Sequence, residues 1–541
     1  MKMFLSNIKA FHLVTILWIL AIIFINPTGE FAINDDWAFA RSVNNYNNGD
    51  YKICDWLAMT AFSHVIWGSL WTKLFGFSFT ILRISTLVLS FIGIITFNSI
   101  LNEFKLNKSL KILGLTIFAF NPIYFHLSYS YMSDVPAIVY SLITFWSLLK
   151  YLKTKNKLYY IISLGSLSIG ILLRQDIIII PTAFFLYNFF NKQESNRFRQ
   201  FVISTIPIIF SLIVLFSFEA FSDSLGNKPV HFNFHTALLF NKLIKGDAIL
   251  TFKMFIYHIS SICFLSGLIL LPITIQHKIK NVFKNKAALF VFTLLTSLQI
   301  IKLITDKSIT PFIGDVFHIY GFGPIIESGF QTNLIKPESI FQKALWSFLS
   351  ILGAYSFSLY ASTFSLKNRS FIYYIIYITL LFLIYLSPVS MSDRYILSLI
   401  TYSIVLLICH YKLNINLKTN FAICSLCILF SLFLEKDFFS EKTARLRALH
   451  YLQSELNCPN KEINAGFEFN GYHFYNAEEH LKASAKNMMP WWWRENHKYI
   501  ISARKNSNLI PLKKICYLSL TNCERKEIWV MLNKSLKEPP L

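Results

Sequence analysis

Asp35 and Asp36 stand side by side in the run Asn34-Asp35-Asp36-Trp37-Ala38-Phe39-Ala40, just past the first long apolar stretch. Such a pair can act as a general base, hold a divalent cation, or simply open a solvated loop. Asp134 follows Tyr131-Met132-Ser133 and precedes Val135-Pro136 at the mouth of another apolar run. It is a candidate acid, although Ser133 and Asp134 are both good helix caps. Arg174 and Asp176 sit between two apolar runs, where they read either as a mutual ion pair or as substrate ligands. Asp393-Arg394-Tyr395 opens a late apolar run, and the donor fork of Arg394 suits a phosphate. His64, His231, His235, His258 and His318 lie near the same side. None shows helix-spaced zinc geometry with a carboxylate, so a metal site is possible but not indicated.

The elements that must position these groups are apolar. Hydrophobic residues make up 54% of the 541 residues, charged residues 15%, and mean hydropathy is +0.48. That composition excludes a disordered chain, a coiled coil and a soluble enzyme. A bilayer core takes about 20 apolar residues per helix. Thirteen runs approach that length: 11–27, 77–101, 112–128, 135–149, 158–173, 177–190, 200–218, 251–275, 287–304, 342–365, 370–387, 395–410 and 419–434. The first is not followed by a small-residue cleavage site and reads as a retained helix.

The net charge of +22 is sorted by side. With the N-terminus in the cytoplasm, the inner segments total 59 residues and carry 20 Lys or Arg. The outer loops total 132 residues and carry 10. The positive-inside rule therefore makes the first side cytoplasmic, and nucleic acid drops out as a partner. All the candidate residues fall on the outer side. The first outer loop, 29–76, is long and aromatic, and Trp37–Tyr46 and Trp56–Phe75 read as interfacial helices that roof a site.

Residues 436–541 are polar and read as a small mixed α/β soluble domain outside the membrane. A helix is expected over Glu441–Leu456, strands over Tyr499–Ser502 and Ile528–Met531, and strand-then-turn character over Gly466–Tyr472. Cys516 and Cys523 could pair across a short loop. The Met488–Arg494 run, with Trp491, Trp492 and Trp493, reads as domain packing or as a surface for sugar rings or membrane. Cys424 and Cys427, inside an apolar run, read as buried packing.

An acid pair, a second acid, an outer arginine and interfacial helices suit chemistry on a lipid-borne phosphorylated substrate. A base takes a proton from an acceptor hydroxyl, the oxygen attacks a sugar's anomeric carbon, and a polyprenyl phosphate leaves against a cation. No nucleotide is available outside the cell, and the chain shows no P-loop or dinucleotide fingerprint. Two other readings stand beside this one. An O-antigen ligase or polymerase would concentrate basic residues in its outer loops. A lipid-linked sugar flippase or transporter would carry charges at mid-span, for which Lys302 is a weak candidate.

These residues resemble the GT-C glycosyltransferases, in the branch of protein O-mannosyltransferases and lipid A aminoarabinose transferases (glycosyltransferase family 39-like). The layout is similar over most of residues 10–435. Asn34–Ala40 looks like the family's acidic pair. Leu70–Ser78 with Leu82-Arg83 is similar to its approach to the second span. Met132–Ala137 looks like its second acidic motif, and Arg394-Tyr395-Ile396-Leu397 resembles its Arg-Tyr-Leu-Leu start of a late span. The resemblance implies an all-α polytopic domain over 1–435, an outer domain over 436–541, and inverting transfer to a lipid, glycan or protein acceptor in a bacterial inner membrane. It implies Asp35 as acid-base residue beside Asp36, Asp134 in support, and Arg394 with Tyr395 toward the donor phosphate. Arg174 and Asp176 are further binding candidates. Relatives often carry a Lys-Pro or Pro-Pro element where this chain has Met59-Thr60-Ala61-Phe62-Ser63-His64. His64 and Lys73 are the candidates to replace the missing lysine.

Overall fold

The computed structural model describes residues 9–190, 197–226, 228–229, 231–232, 241, 248–274, 276, 284–306, 316–318, 321–322, 340–363, 371–386, 392–410, 417–479, 497–521 and 523–533. Helix α1 spans Ala10–Ile25, α2 Asp36–Asn47, α3 Phe62–Phe75, α4 Phe79–Asn102, α5 Lys108–Ala119, α6 Pro122–Ser128 and α7 Asp134–Thr154. There follow α8 Lys157–Ile171, α9 Ile179–Phe190, α10 Arg197–Ser224, α11 Ala248–Thr274, α12 Lys286–Asp306, α13 Ile340–Thr363, α14 Phe371–Leu386, α15 Leu397–His410, α16 Leu417–His450 and α17 Phe467–Phe474. Short 3-10 turns at Gln175–Ile178 and Asp393–Ile396 lead into α9 and α15.

At least one helix lies over each of the thirteen predicted runs. Lipid offers no partner to a backbone N–H or C=O, so an apolar run must close its own hydrogen bonds. Five helices are long and apolar enough to cross a bilayer alone: 79–102, 134–154, 197–224, 249–274 and 286–304. The pair α5–α6, bent by 57°, makes a sixth if taken as one span. Four further apolar helices are shorter, at 10–25, 157–171, 175–190 and 371–383. Thirteen full-length spans therefore do not follow from the described residues. The bend comes from Asn121-Pro122. Asn121 caps α6 by accepting from the N–H of Tyr124 at 2.9 Å, and the proline takes the first turn, where its missing N–H costs nothing. Polar caps open three other helices: Ser78 on α4, Asn107 on α5 and Asn156 on α8. Helices α11 and α13 touch backbone to backbone. A Cβ on Gly267 would meet the Leu349 carbonyl, and one on Gly353 the Cys263 carbonyl.

Residues 29–76 form two helices as expected, α2 and α3, although the second starts at Phe62 rather than Trp56. The helix expected over Glu441–Leu456 is present as the end of α16, which runs unbroken from Leu417 to His450 and closes in a π turn, Tyr451–Glu455. One expectation about residues 436–541 is corrected. Gly466–Tyr472 is not a strand. Gly466 has φ +102° and starts helix α17, which packs on α2. Strands β1 Phe317–His318 and β2 Gly321–Phe322 make a short antiparallel pair. Strands β3 Ile463–Asn464, β4 Tyr499–Ser502, β5 Ile510–Ser519 and β6 Glu524–Leu532 form a sheet in the order β3-β4-β6-β5. The β3–β4 pair is parallel and the others antiparallel. Ala444, Ala448 and Leu452, from the end of α16 and the π turn, pack on Ile463, Ile501, Ile528 and Val530 of this sheet. Cys516 and Cys523 are exposed and unpaired, on β5 and beside the β5–β6 turn. Cys424 is buried. Residues 488–494 lie outside the described residues.

Candidate functional site

The start of α2 is where the two adjacent aspartates part. Asn34 takes a left-handed φ of +55°, which Asn tolerates, and turns the chain into the helix. Asp36 then points inward and is 1% exposed. Its Oδ1 accepts from the N–H of Ile33 at 2.7 Å and its Oδ2 from the N–H of Tyr131 at 3.1 Å. Burial pushes its carboxyl up to about 7, against the opposing pull of Arg83 and these two N–H groups. Asp35 faces the other way. Its Oδ1 accepts from Trp56 Nε1 at 2.9 Å and its Oδ2 lies 3.1 Å from Arg394 Nη2. Both partners of this ion pair keep some exposure, 16% for Asp35 and 11% for Arg394.

Arg394 begins a continuous row of charges. Its guanidinium lies 5.7 Å from the centre of the Tyr395 ring, and that of Arg174 lies 5.5 Å from the same ring. Arg174 reaches Asp134 Oδ1 at 2.5 Å through Nη1. It binds Asp176 in a fork, Nε to Oδ1 at 3.2 Å and Nη2 to Oδ2 at 2.9 Å. Asp35, Arg394, Tyr395, Arg174, Asp134 and Asp176 thus come together from four separate parts of the chain. The mutual ion pair of Arg174 and Asp176 is present, but Asp134 joins it.

The other two candidates stand apart. His64 is buried in α3 with its ring stacked on Tyr131 at 4.1 Å. The Tyr131 hydroxyl donates to the His64 carbonyl at 2.6 Å, and burial pushes the imidazole down to about 4. Lys73 is exposed in the last turn of α3, 5.8 Å from the Tyr46 ring. Tyr46 lies near the far end of α2, roughly 15 Å along the helix from Asp36. The loop that lacks the lysine has a different use here. Thr60 Oγ1 donates to Ile171 O at 2.9 Å, and the N–H groups of Ala61 and Ser63 donate to Leu173 and Leu172 at 3.1 and 3.2 Å. It straps α3 to the turn that carries Arg174.

Three groups were not singled out by sequence reasoning as site residues. Arg83, in α4, is 1% exposed and donates to the carbonyls of Pro27 (2.5 Å), Gly29 (3.3 Å) and Phe31 (2.8 Å). Its guanidinium lies over Phe31 and Phe439, at 4.6 and 5.3 Å, so one cation ties the approach to Asp35 to α4 and α16. Asp393 is buried and both its oxygens accept from the Val316 N–H, at 3.1 and 3.0 Å. Glu435 and His126 form a wholly buried pair at 2.9 Å. The usable signal for each is a charge against an apolar run, which lipid tolerates only when it is partnered.

Among the described residues, no group of three or more His, Cys, Asp or Glu is arranged to hold a metal ion. Asp35 and Asp36 also bond in different directions, so they do not converge on one cation.

Residues 62–219 match a family model described as dolichyl-phosphate-mannose-protein mannosyltransferase. The match runs from α3 into α10. It contains Arg83, Asp134, Arg174 and Asp176, whereas Asp35 and Arg394 lie outside it. The apolar helices make the chain an integral membrane protein. Among solved structures, ArnT from Cupriavidus metallidurans in the apo state is similar at 9% identity with a TM-score of 0.41, covering 98% of this chain and 99% of that one. The same protein bound to undecaprenyl phosphate is similar at 10% identity with a TM-score of 0.43, over the same shares. No curated protein sequence matches the chain.

Proposed function

We propose that this chain is a membrane glycosyltransferase that takes a sugar from a polyprenyl-phosphate carrier and joins it, with inversion, to a hydroxyl of a lipid, glycan or protein acceptor. The observation that carries this reading is the ion pair between Asp35 and Arg394, 3.1 Å apart at a partly open position between the first outer loop and the start of α15. A donor phosphate entering beside Arg394 competes with Asp35 for the guanidinium. Once freed, the Asp35 carboxylate takes the acceptor proton as the hydroxyl oxygen attacks the anomeric carbon. The bond from that carbon to the phosphate oxygen breaks, and Arg394 stabilises the charge on the leaving phosphate. Arg174 has its fork committed to Asp134 and Asp176, which suits it to position Tyr395 and the wall of the site.

The transferase domain would cover 1–435 and the outer domain 436–541, with α16 as a continuous strut between them. The distribution of Lys and Arg supports a cytoplasmic N-terminus, with the site and residues 436–541 outside, as in a bacterial inner membrane. Undecaprenyl phosphate, the ligand named for ArnT, is the carrier to try first. The test is sugar transfer by purified protein in lipid nanodiscs from a synthetic polyprenyl-phosphate sugar. Asp35→Asn should lower the rate by about 100-fold or more while the variant still binds polyprenyl phosphate. A well-folded Asp35→Asn protein with the wild-type rate would remove the catalytic assignment.

A further inference from the structure

The end of α16 fixes where the β5–β6 turn lies. The apolar run of this helix ends at Leu434, and the next three side chains bind three different partners. Glu435 holds His126 of α6. Lys436 Nζ donates to the carbonyls of Phe24 at 3.0 Å and Ile25 at 3.3 Å, at the end of α1. Asp437 holds the turn. Its Oδ2 accepts from the Ser519 hydroxyl at 2.7 Å and the Thr521 N–H at 3.0 Å, and its Oδ1 accepts from the Leu520 N–H. The apolar parts of α1 and α16 thus end at one level, and the turn is tied to it. Strand β5 descends to that level along α16. Lys513 pairs with Glu455 at 2.9 Å, the Cys516 carbonyl accepts from Arg447 Nη2 at 3.5 Å, and Ser519 meets Asp437. Numbers rise along β5 as they fall along α16, so the strand heads for the apolar part of the helix and turns back there.

Asp437 stands three residues beyond Leu434, about 4.5 Å along the helix. A headgroup layer is about 5–8 Å deep on each side of a bilayer, so the turn lies at headgroup depth. Its outward side chains suit that place. Leu518 is 54% exposed, and Arg525, its partner across the two strands, is exposed beside it. A leucine next to an arginine fits the boundary between acyl chains and lipid phosphates. Glu524 and Glu527 flank Arg525 along β6, so the contact is with the phosphate of any phospholipid and not with an anionic one alone. The apolar surface continues on α1, where Ile23 is 69% and Phe24 44% exposed. We propose that the tip of the β5–β6 hairpin is a membrane anchor, which docks on the phospholipid headgroups at this end of α16 and holds residues 436–541 at a fixed height over the bilayer. The argument is independent of the proposed transfer reaction and of which leaflet this is.

Cys523, exposed just past the turn, offers a natural place for a fluorophore. The test uses the full-length protein in lipid nanodiscs, with Cys516→Ser so that the label goes to Cys523. The Cys516→Ser/Cys523→Ser protein gives the background from the other cysteines. Ser507→Cys in that background is the comparison, since it lies beyond the far end of β5, about 30 Å from the turn. Phosphatidylcholine carrying a nitroxide on its headgroup should quench the label at Cys523 about threefold more strongly than the label at the far end, because the two positions are separated by that length of strand. Leu518→Asp, a change at an exposed position, should cut the quenching at Cys523 by about half, because a carboxylate withdraws from the acyl boundary. Equal quenching at the two positions would overturn the anchor. Unchanged quenching in Leu518→Asp would overturn Leu518 as its apolar contact. Shielding of Cys523 that grows with the number of copies per disc would assign the tip to a second copy of the chain and overturn lipid as its partner.

Discussion

The indole N–H of Trp56 donates to Oδ1 of Asp35 at 2.9 Å, and the same ring packs on residues 467–475, 6.1 Å from the Phe467 ring and 5.7 Å from that of Tyr475. Trp37, the second residue of α2, meets the same two residues at 6.3 and 5.4 Å, and Arg41 donates to the Tyr475 carbonyl at 3.0 Å. The segment 467–475 therefore backs the loop that presents Asp35. In the proposed reaction these contacts stiffen the base.

Trp56→Phe keeps the packing and removes the hydrogen bond to Asp35. A bond to a charged group contributes about 1.5–3 kcal/mol, so transfer should slow by about 10- to 100-fold with little change in melting temperature. Measuring kcat and KM separately checks this. A loss confined to donor KM would mean that Trp56 serves binding rather than the base.

The two adjacent aspartates should give opposite phenotypes. Asp36→Asn places an amide N–H against a backbone donor in a buried site and should cost about 1–3 kcal/mol of stability. Asp35→Asn should leave the melting temperature near wild type and lower transfer by about 100-fold or more. Thermal unfolding in detergent, read beside the rate, separates them, and a stable, inactive Asp36→Asn protein would reverse the assignment.

Gly471 tests the backing of the loop from the other side. A Cβ there would lie 2.5 Å from Cε2 of Trp37. Gly471→Val should cost about 1–3 kcal/mol through overpacking and also lower the transfer rate, because the displaced α17 would release Trp37 and Trp56. An unchanged rate in a destabilised protein would uncouple the outer domain from the site.

Two buried groups should bend stability with pH in opposite senses. The carboxyl of Asp36 rises from 3.8 to about 7 on folding. It takes up a proton in that window, so its contribution is full below pH 3.8 and lost as pH rises through 7. The His64 imidazole falls from 6.5 to about 4. Its contribution is full above 6.5 and lost as pH falls through 4. Each changes stability by at most about 1.4 kcal/mol per pH unit. Across pH 4.5 to 7.5, the melting-temperature advantage of wild type over Asp36→Asn should shrink, and that over His64→Gln should grow. The reverse slopes would contradict the burial of these groups.

Much was legible before any fold was known. Apolar runs must become helices in lipid, so the positions of α1, α4 and α7 to α16 follow from composition alone. Charges at the ends of those runs are rare and need partners, which made Asp35, Asp134, Arg174 and Arg394 conspicuous. Only the tertiary structure decided how they pair. Asp35 and Asp36 are chemically the same and adjacent, and the turn at Asn34 with the N–H of Tyr131 sends one inward and leaves the other to Arg394. The pairing of Asp35 with Arg394 joins the first loop to the start of α15, a closure that local propensity does not encode. Residues 466–472 read as strand then turn in isolation, and 467–474 became helix because Gly466 starts the turn and Trp37 supplies a surface to pack on. Periodicity reports which face of a segment is apolar. It does not report which other segment that face will meet, and here the meeting of distant segments makes the site.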